Sequence, residues 1–410
     1  MEYIIREIPE IRFKEFNEKY TEYRLSDLLS KYSENNKDEE FYIEDILSLS
    51  AKHGIVNRKT LLKNTYDKVN HKNYKKTRLN DFVYGKSISA NYPYGLFKAN
   101  NIGDGLLSTL YFTFKVNDKV FPNYLGVYFS HYNRVNNFLK KYVLVGDRYI
   151  TADADFILSG KICIPSKEEQ IKIINFLSLL DKRINNLERK HELLLKYKKG
   201  IMQKILSKEI RFKDLKNDQA NHPEWSDVKI SEILESHSIP VEVKIKENYN
   251  EIGIRSHGKG IFYKESKTGE DLGNKRVFWL KEDLFIVNIV FAWEGAVAKT
   301  TKNEIGKIAS HRFPTYKARE FILNLDFILA FFKTRKGLRL LQLASPGGAG
   351  RNKTLGKSNF NNLKIHLPCY DEQVQIAKLI NKLDSKIEIA KNQIEGMKYY
   401  KKGLLQNMFV

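Results

Sequence analysis

The sequence IPSKEEQIKIINFLSLLDKRINNLERKHELLLKYKKGIMQ, from Ile164 to Gln203, returns in altered form as LPCYDEQVQIAKLINKLDSKIEIAKNQIEGMKYYKKGLLQ, from Leu367 to Gln406. The two copies align without a gap at an offset of 203 residues, which carries Pro165 onto Pro368. A repeat of this length reflects a repeated structure. The chain of 410 residues is therefore predicted to consist of two similar halves.

Each copy has the pattern of one long helix. A proline stands at its entrance, and acidic residues fill its first turn, where carboxylates favour the exposed amides of a helix N-terminus. Apolar residues follow at alternating spacings of four and three, which is typical of a coiled-coil seam. The predicted seam positions are Ile173, Leu177, Leu180, Ile184 and Leu187 in the first copy and Ile376, Ile380, Leu383, Ile387 and Ile394 in the second.

Two such helices are predicted to pack on each other, because neither narrow seam is stable alone in water. Roughly 40 residues at ~1.5 Å each make a rod of about 60 Å. The alternative is that each helix packs on its own domain, but such helices usually show a wider apolar face. His191 is expected to be a partly exposed polar interruption of the seam. Gly200 and Gly403 recur at one place in the repeat, which predicts a close backbone approach there.

The sequence before each helix indicates a mixed α+β domain. In the first half, STLYFTFKV at 108–116 alternates like a strand, and 121–141 has helical spacing. The second half repeats this order, with EDLFIVNIVFAW and SHRFPTYKA as strands and 324–343 as the helix. RFKD at Arg211 also echoes RFKE at Arg12.

The predicted domain boundaries follow from this order. They are 1–164 for the first domain, 165–206 for the first long helix, 207–367 for the second domain and 368–410 for the second long helix.

The charge balance points to a polyanionic partner. Lysine and arginine number 70 against 49 acidic residues, a net charge of +21, so nucleic acid is the leading expectation. The alternative is a generally lysine-rich composition. No apolar run long enough to span a membrane occurs, and the first residues lack a signal-peptide pattern, so a cytoplasmic protein is expected. Two cysteines and no histidine cluster support neither a disulfide framework nor a metal site.

Catalytic motifs are matched only in fragments. GAGRNKTLGKS at 348–358 fails as a phosphate-binding loop, because five residues separate its glycines where four are needed. NYPYG at 91–95 lacks the first proline of the NPPY loop of adenine methyltransferases. Glu242 and Lys244, with Asp227, leave open a nuclease of the PD-ExK type, although Glu-x-Lys is frequent in a lysine-rich chain. No catalytic residues, metal or cofactor are therefore predicted.

Basic residues mixed with aromatic and small polar ones in loops suit DNA binding instead, since arginine and lysine neutralise phosphates and polar side chains read base edges. For any one of them, a solvated surface charge is the alternative. The candidates are Lys86, Lys98, Lys141, Arg148, Tyr149, Trp293, His311, Arg312, Arg351, Asn352 and Lys353.

The layout resembles the specificity subunits of type I restriction-modification systems. The resemblance rests on two dissimilar domains, each ending in IP or LP, followed by an acidic-Glu-Gln turn (168–170 and 371–373) and a long helix with an aspartate at 181 or 384. It includes the opening PEIRFKEF from Pro9 and covers essentially the full chain.

The resemblance implies an α+β fold with two mixed α/β target-recognition domains, separated by two long helices that pair as an antiparallel coiled coil in a pseudo-twofold repeat. It also implies a non-catalytic subunit that reads a bipartite, asymmetric double-stranded DNA site, with the helix pair setting the gap. Two modification (methyltransferase) subunits and restriction subunits are the implied partners. S-adenosylmethionine, ATP and Mg would be used by those partners. A PD-ExK-like nuclease and a non-specific DNA-binding coiled-coil scaffold remain the alternatives.

Overall fold

A computed structural model describes residues 8–61, 70–146, 150–214, 222–347 and 353–410. The chain forms two compact units. Unit 1 comprises Met1–Leu187 and Gln393–Val410, and unit 2 comprises Glu188–Asn392. The division falls inside the two long helices, so each unit contains the beginning of one long helix and the end of the other.

Unit 1 contains twelve described strands and the start of the first long helix. Its strands are β1 (Thr21–Arg24), β2 (Leu29–Tyr32), β3 (Leu47–Ser50), β4 (Gly54–Asn57), β5 (Lys75–Thr77), β6 (Phe82–Gly85), β7 (Leu96–Ala99), β8 (Gly105–Leu107), β9 (Phe112–Val116), β10 (Val143–Val145), β11 (Ile150–Ala152) and β12 (Lys161–Ile164). Its helices are α1 (Arg58–Leu61), α2 (Pro122–Tyr128), α3 (Tyr132–Leu139), α4 (Ala154–Leu158) and α5 (Lys167–Leu206), the last of which continues into unit 2.

An antiparallel sheet in the order β2-β9-β6-β7 forms the centre of unit 1. Its β6 and β7 strands are rich in aromatic residues, which favour strands and are large enough to fill the space under the sheet. Phe82, Phe97 and Phe114 are fully buried there, and the ring of Phe97 lies 4.9 Å from that of Phe129 beyond α2. The sheet is therefore held by a cluster of aromatic rings.

Unit 2 contains the remaining strands and the end of the first long helix. Its strands are β13 (Ser226–Lys229), β14 (Leu234–His237), β15 (Ile239–Pro240), β16 (Asn248–Tyr249), β17 (Ile252–Ile254), β18 (Ile261–Tyr263), β19 (Lys267–Thr268), β20 (Val277–Trp279), β21 (Leu284–Val287), β22 (Val297–Lys299), β23 (Ile308–Ser310), β24 (Thr315–Ala318) and β25 (Lys364–Leu367). Its helices are α6 (Ile230–Ile233), α7 (Gly269–Leu272), α8 (Leu325–Phe332), α9 (Arg335–Leu343), α10 (Lys357–Asn361) and α11 (Tyr370–Asn407), the last of which ends in unit 1.

The two units repeat one topology. The order β14-β24-β21-β22 in unit 2 corresponds to β2-β9-β6-β7 in unit 1, and β13 pairs with β25 as β1 pairs with β12. The pair α8 and α9 corresponds to α2 and α3. The fold class predicted from the sequence, with two mixed domains and two long helices, is confirmed.

Several predicted elements are shorter than expected. The strand predicted from residue 108 begins only at Phe112, because Ser108 to Tyr111 forms a turn that leaves Leu110 75% exposed. The apolar run 282–293 forms a strand only over Leu284–Val287, and SHRFPTYKA contains the end of one strand and a second strand. Alternation alone did not reveal these turns.

Each helix predicted at 121–141 and 324–343 is in fact two helices. Between α2 and α3, the Ser130 hydroxyl donates to the Val127 carbonyl, 2.7 Å away, and the chain turns. Between α8 and α9, the Thr334 hydroxyl accepts from the Gly337 amide at 3.2 Å and caps the second helix. A Cβ on Gly337 would lie 2.2 Å from the Phe331 carbonyl oxygen, so only glycine fits this tight junction.

In both units the ends of the long helices run antiparallel. In unit 1, Lys401 pairs with Asp181 at 2.5 Å, and Phe409 reaches Tyr124, with ring centroids 5.2 Å apart. In unit 2, the Lys198 ammonium pairs with Asp384. The seam positions named from the sequence are all buried or half-buried. Gly200 and Gly403 do not mark a close backbone approach, because a Cβ at either position would meet no atom within 4 Å.

A buried ion pair anchors the entrance of each long helix. Glu169 accepts two hydrogen bonds from Arg12, at 2.7 and 2.8 Å, and Glu372 accepts two from Arg211, both at 3.0 Å. These bonds raise the pKa of both guanidinium groups. The echo of RFKE and RFKD in the sequence therefore marks two equivalent arginine-glutamate clamps.

The glutamine that follows each of these glutamates ties the helix entrance to the domain before it. The Gln170 side chain accepts from the Phe121 amide at 2.8 Å, and the Gln373 side chain accepts from the Asn324 amide at the same distance. Phe121 and Asn324 are the N-cap residues immediately before α2 and α8. The Glu-Gln turn thus fixes each long helix against the globular part of its unit.

Candidate nucleic-acid interface

Three segments of unit 2 meet where β21 ends and β24 begins. These strands are antiparallel neighbours, so the residues after Val287 lie beside those before Thr315. The Ile289 amide donates to the Arg312 carbonyl at 3.0 Å, and the Ile289 carbonyl accepts from the Leu355 amide at 2.8 Å. Residues 288–295, 310–313 and 353–355 therefore form one surface.

Four residues proposed from the sequence come together on this surface. Trp293 donates from its indole to the Val290 carbonyl at 3.0 Å, and the Lys353 ammonium lies 5.6 Å from the centre of the Trp293 ring. His311 and Arg312 are exposed on the adjoining turn. An aromatic ring, a lysine, a histidine and an arginine thus share one end of the sheet.

A fourth segment, absent from the sequence-based candidates, joins this surface. Residues Arg255–Gly260 connect β17 to β18, and two of their amides donate to the Glu294 and Gly295 carbonyls, both at 2.8 Å. The segment reads RSHGKG, and its basic residues separated by glycine were the signal in the sequence. What the sequence did not show was that this hairpin folds against the Trp293 loop. The four segments together are called the loop cluster of unit 2.

The loop cluster is electrostatically positive. Arg255, Lys259 and Arg312 are exposed, and in the described ranges no ion pair joins Lys259, Arg312 or Lys353 to a carboxylate. Glu294 is the acid within the cluster, and its carboxylate accepts from the Ser256 hydroxyl at 2.6 Å. Uncompensated cations beside exposed aromatic and amide groups can bind phosphates and reach base edges.

Unit 1 places Lys86 in the equivalent loop after β6 and Lys98 on the strand that follows this loop. Lys98 on β7 donates to the Tyr92 hydroxyl at 3.2 Å and lies over the Tyr92 ring at 4.6 Å. Lys86 is exposed, with its ammonium 5.5 Å from the centre of the Phe112 ring. Lys141 is exposed beyond the end of α3, and no described contact joins it to this loop.

The remaining four candidates, Arg148, Tyr149, Arg351 and Asn352, lie outside the residues that the structure describes.

The nuclease residues suggested by the sequence are engaged elsewhere. Asp227 on β13 bonds to the His366 ring nitrogen at 2.9 Å, and the Lys244 ammonium pairs with Glu247 at 2.9 Å. Glu242 is exposed in the segment between β15 and β16. No described contact brings the three groups into one site.

Among the described residues, one group of carboxylates could hold a cation, and a lysine fills it. Glu34, Asp38 and Glu40 lie within reach of one ion. The Lys76 ammonium contacts them at 2.9, 2.6 and 2.8 Å. Its charge takes the place that a metal would occupy.

No helix of the described chain is long and apolar enough to cross a membrane.

Comparisons with known proteins agree on one family. The model of the type I restriction modification DNA specificity domain matches residues 223–399. A Methanocaldococcus jannaschii protein assigned as the specificity subunit of the type I restriction enzyme MjaX is 25% identical over 298 residues, which cover 70% of this chain and 67% of that protein.

Two crystal structures have a similar fold over nearly their whole length. The HsdS subunit of Thermoanaerobacter tengcongensis aligns with a TM-score of 0.51 at 15% identity, over 95% of this chain and 96% of that one. The S subunit of a type I restriction-modification system from M. genitalium aligns with a TM-score of 0.53 at 13% identity, over 98% of this chain and 99% of that one. At these identities the likeness concerns the fold.

Proposed function

We propose that the chain is the sequence-specific DNA-binding subunit of a type I restriction-modification complex, because the comparisons relate it to the DNA specificity subunits of such systems. The observation that carries the proposal is the repeated unit. The same sheet order and the same arginine-glutamate clamp occur twice, and basic and aromatic side chains follow the corresponding strand in each. The chain is a recognition subunit and not an enzyme.

Each unit is proposed to read one half of a bipartite DNA site. Support comes from the difference between the two equivalent loops. Unit 2 presents Trp293, Arg312 and Lys353 with the hairpin loop 255–260, whereas unit 1 presents Lys86 and Lys98 with tyrosines. Base pairs are distinguished by the donors and acceptors that meet them, so different loops imply different half-sites.

The two long helices are proposed to set the gap between the half-sites. They are continuous over 40 and 38 residues, and an ion pair to the other helix fixes their register within each unit. A helix is stiff over this length, and its length is set by the number of residues at ~1.5 Å each.

The proposed partners are double-stranded DNA, two modification (methyltransferase) subunits and restriction subunits. S-adenosylmethionine, ATP and Mg would then serve the partner subunits. The proposal accounts for the net charge of +21, because each phosphate contact releases counterions and strengthens binding to DNA.

Co-expression with a type I modification subunit, followed by mapping of methylated adenines, tests the main proposal. We expect one motif with two short defined parts and a fixed gap. Arg312→Ala should relax or abolish recognition of one part only. A methylation pattern without a bipartite motif would contradict the proposal. DNA binding that ignores sequence and weakens uniformly with salt would instead favour the non-specific scaffold.

Shortening both helices tests the role of the helix pair. In the register set by the Lys198–Asp384 pair, Lys190–Lys196 lies opposite Lys386–Asn392 within unit 2. Removing both segments takes one heptad from each helix and keeps the seam in phase. The loss of about 10 Å of helix corresponds to about three base pairs. The gap should shorten by about that amount with both half-sites unchanged, and an unchanged gap would refute the spacer role.

A further inference from the structure

The hairpin loop 255–260 has an unusual backbone at its tip. His257 has φ 61°, in the left-handed region, and Gly258 and Gly260 follow with φ 63° and 82°. A side chain with a Cβ is strained in this region, whereas glycine is not. A Cβ on Gly258 would lie 2.7 Å from the Lys333 side chain, so glycine is required there. If stability were the only requirement at position 257, glycine would therefore suit the backbone better than histidine does.

Most other residues with a positive φ have a side-chain partner, which His257 lacks among the described residues. Asn80, like histidine, is of a type that enters this region more often than most. The side chains of the others have partners, which are Lys72 for Glu39, Glu224 for Lys208, Lys299 for Asp283 and Tyr370 for Phe321. Within the described part of the chain the His257 imidazole makes no hydrogen bond, and it is exposed. Its side chain does nothing visible for the fold.

The neighbouring loop holds the backbone of His257 in place. The His257 amide donates to the Glu294 carbonyl and the Gly258 amide to the Gly295 carbonyl, both at 2.8 Å. Within the hairpin, the Arg255 amide donates to the Gly260 carbonyl at 2.9 Å. A side chain on a fixed backbone loses less freedom on binding, which favours a presented recognition group.

We propose that His257 is a specificity-determining residue of unit 2, which reads a base edge in the DNA groove while Lys259 contacts the phosphates beside it. This rests on the proposed function and assigns part of its specificity to a loop outside the sequence-based candidates. An imidazole can donate and accept hydrogen bonds, as base readout requires. The surrounding side chains Arg255, Lys259 and Arg312 are exposed and cationic, which suits DNA and not an apolar protein partner.

The test is a comparison of His257→Gly with Asp283→Gly in the complex with the modification subunits. Both changes place glycine at a positive φ in unit 2, and Asp283 lies before β21, outside the loop cluster. Methylation rates are measured on duplexes that carry every single base-pair change across both half-sites, and the thermal midpoint is measured in parallel. His257→Asn is a second variant that keeps a polar side chain and tolerates the backbone.

In His257→Gly, discrimination at one base pair of one half-site should fall by about tenfold or more, because a well-placed base contact carries about that much specificity. The thermal midpoint should not fall. His257→Asn should change the preferred base at the same position, and Asp283→Gly should leave every preference unchanged.

Three results would overturn the inference. The first is an unchanged base preference in His257→Gly. The second is an equal fall in the methylation rate on all duplexes. The third is a loss of discrimination that accompanies a lower thermal midpoint. If the wild-type complex itself shows no bipartite motif, the proposed function fails and the inference falls with it. A normal wild-type motif that the variant leaves intact overturns the inference alone.

Discussion

Removing Arg211 should destabilise unit 2 strongly, because it leaves a carboxylate buried without its cation. Glu372 is 0% exposed, and the Arg211 side chain is 9% exposed. The carboxylate also accepts from the Trp225 indole at 2.9 Å, so Arg211→Met leaves it with one neutral donor. Breaking a buried ion pair costs about 3–5 kcal/mol. Because one edge of Arg211 faces the exposed Glu224, we expect a loss at the lower end of this range, about 3 kcal/mol in the free energy of unfolding.

Tryptophan fluorescence during urea unfolding measures this effect in unit 2, because the chain's three tryptophans, at 225, 279 and 293, all lie there. With a urea dependence of about 2–3 kcal/mol per molar, Arg211→Met should lower the midpoint by about 1–1.5 M. Adding Glu372→Gln should recover much of the loss, since the buried charge is then gone. Recovery should be incomplete, because Arg211 also donates to the His222 and Pro223 carbonyls.

Glu224→Gln is the matched control, because Glu224 pairs with the same arginine at an exposed position. Its midpoint should match the wild type, since exposed ion pairs contribute little. A midpoint for Arg211→Met close to the wild type would refute the reasoning. A double variant no more stable than Arg211→Met would show that the buried charge of Glu372 is not the source of the loss.

Three further predictions concern other positions. Gly200→Ala and Gly403→Ala should each stabilise the protein by about 0.5–1 kcal/mol in urea unfolding, since a Cβ meets nothing there and alanine favours a helix; lower stability would reveal a contact at these glycines. Tyr124→Phe should raise the calorimetric midpoint, because the Tyr124 hydroxyl is buried without a partner in the described residues; a lower midpoint would show that it has one. Hydrogen bonds from Arg78 and then Lys76 lower the pKa of Glu40 from 4.5 to about 2, so its stabilising contribution is present above about pH 4.5 and disappears as the pH falls towards 2. Thermal unfolding of Glu40→Gln should therefore show a smaller loss of stability over that range than the wild type, and equal losses would contradict this.

The long helices were predictable from the sequence because their signals are local and repeated. The seam spacing, the acidic first turn and the constant offset each depend on residues within a few turns of one another. The helix bounds Lys167–Leu206 and Tyr370–Asn407 accordingly differ from the predicted ranges by at most three residues at either end. The proposed domain boundaries stay a prediction.

The errors occurred where distant contacts decide the conformation. Thr334 and Gly337 end one helix and begin another through a cap and a tight backbone packing, although the apolar spacing of the segment continues across them. Gly200 and Gly403 indicated a close approach that does not occur. Their recurrence in both copies has no explanation in the contacts of the described residues.

Only part of the candidate interface could be predicted from the sequence, because the rest depends on contacts between distant segments. Composition singled out Trp293 and Arg312, because basic and aromatic residues in a loop are visible in the sequence. The hairpin loop 255–260 joins them through two backbone hydrogen bonds across about 40 residues of chain, which no local pattern records. The positive φ of His257 is likewise a property of the folded backbone.

The sharing of the long helices between the units sets an order of events during synthesis on the ribosome. Unit 2 is a continuous segment, Glu188–Asn392, so all its residues have been made before the last part of unit 1. The core of unit 1 includes Leu404, Met408 and Phe409, and the Ile11 amide donates to the Asn407 carbonyl at 3.0 Å. Of the two units, unit 1 is therefore begun before unit 2 and completed after it, because its core lacks these side chains until residue 409 has been made. A stop codon before residue 404 would therefore damage unit 1, most of which lies before residue 188.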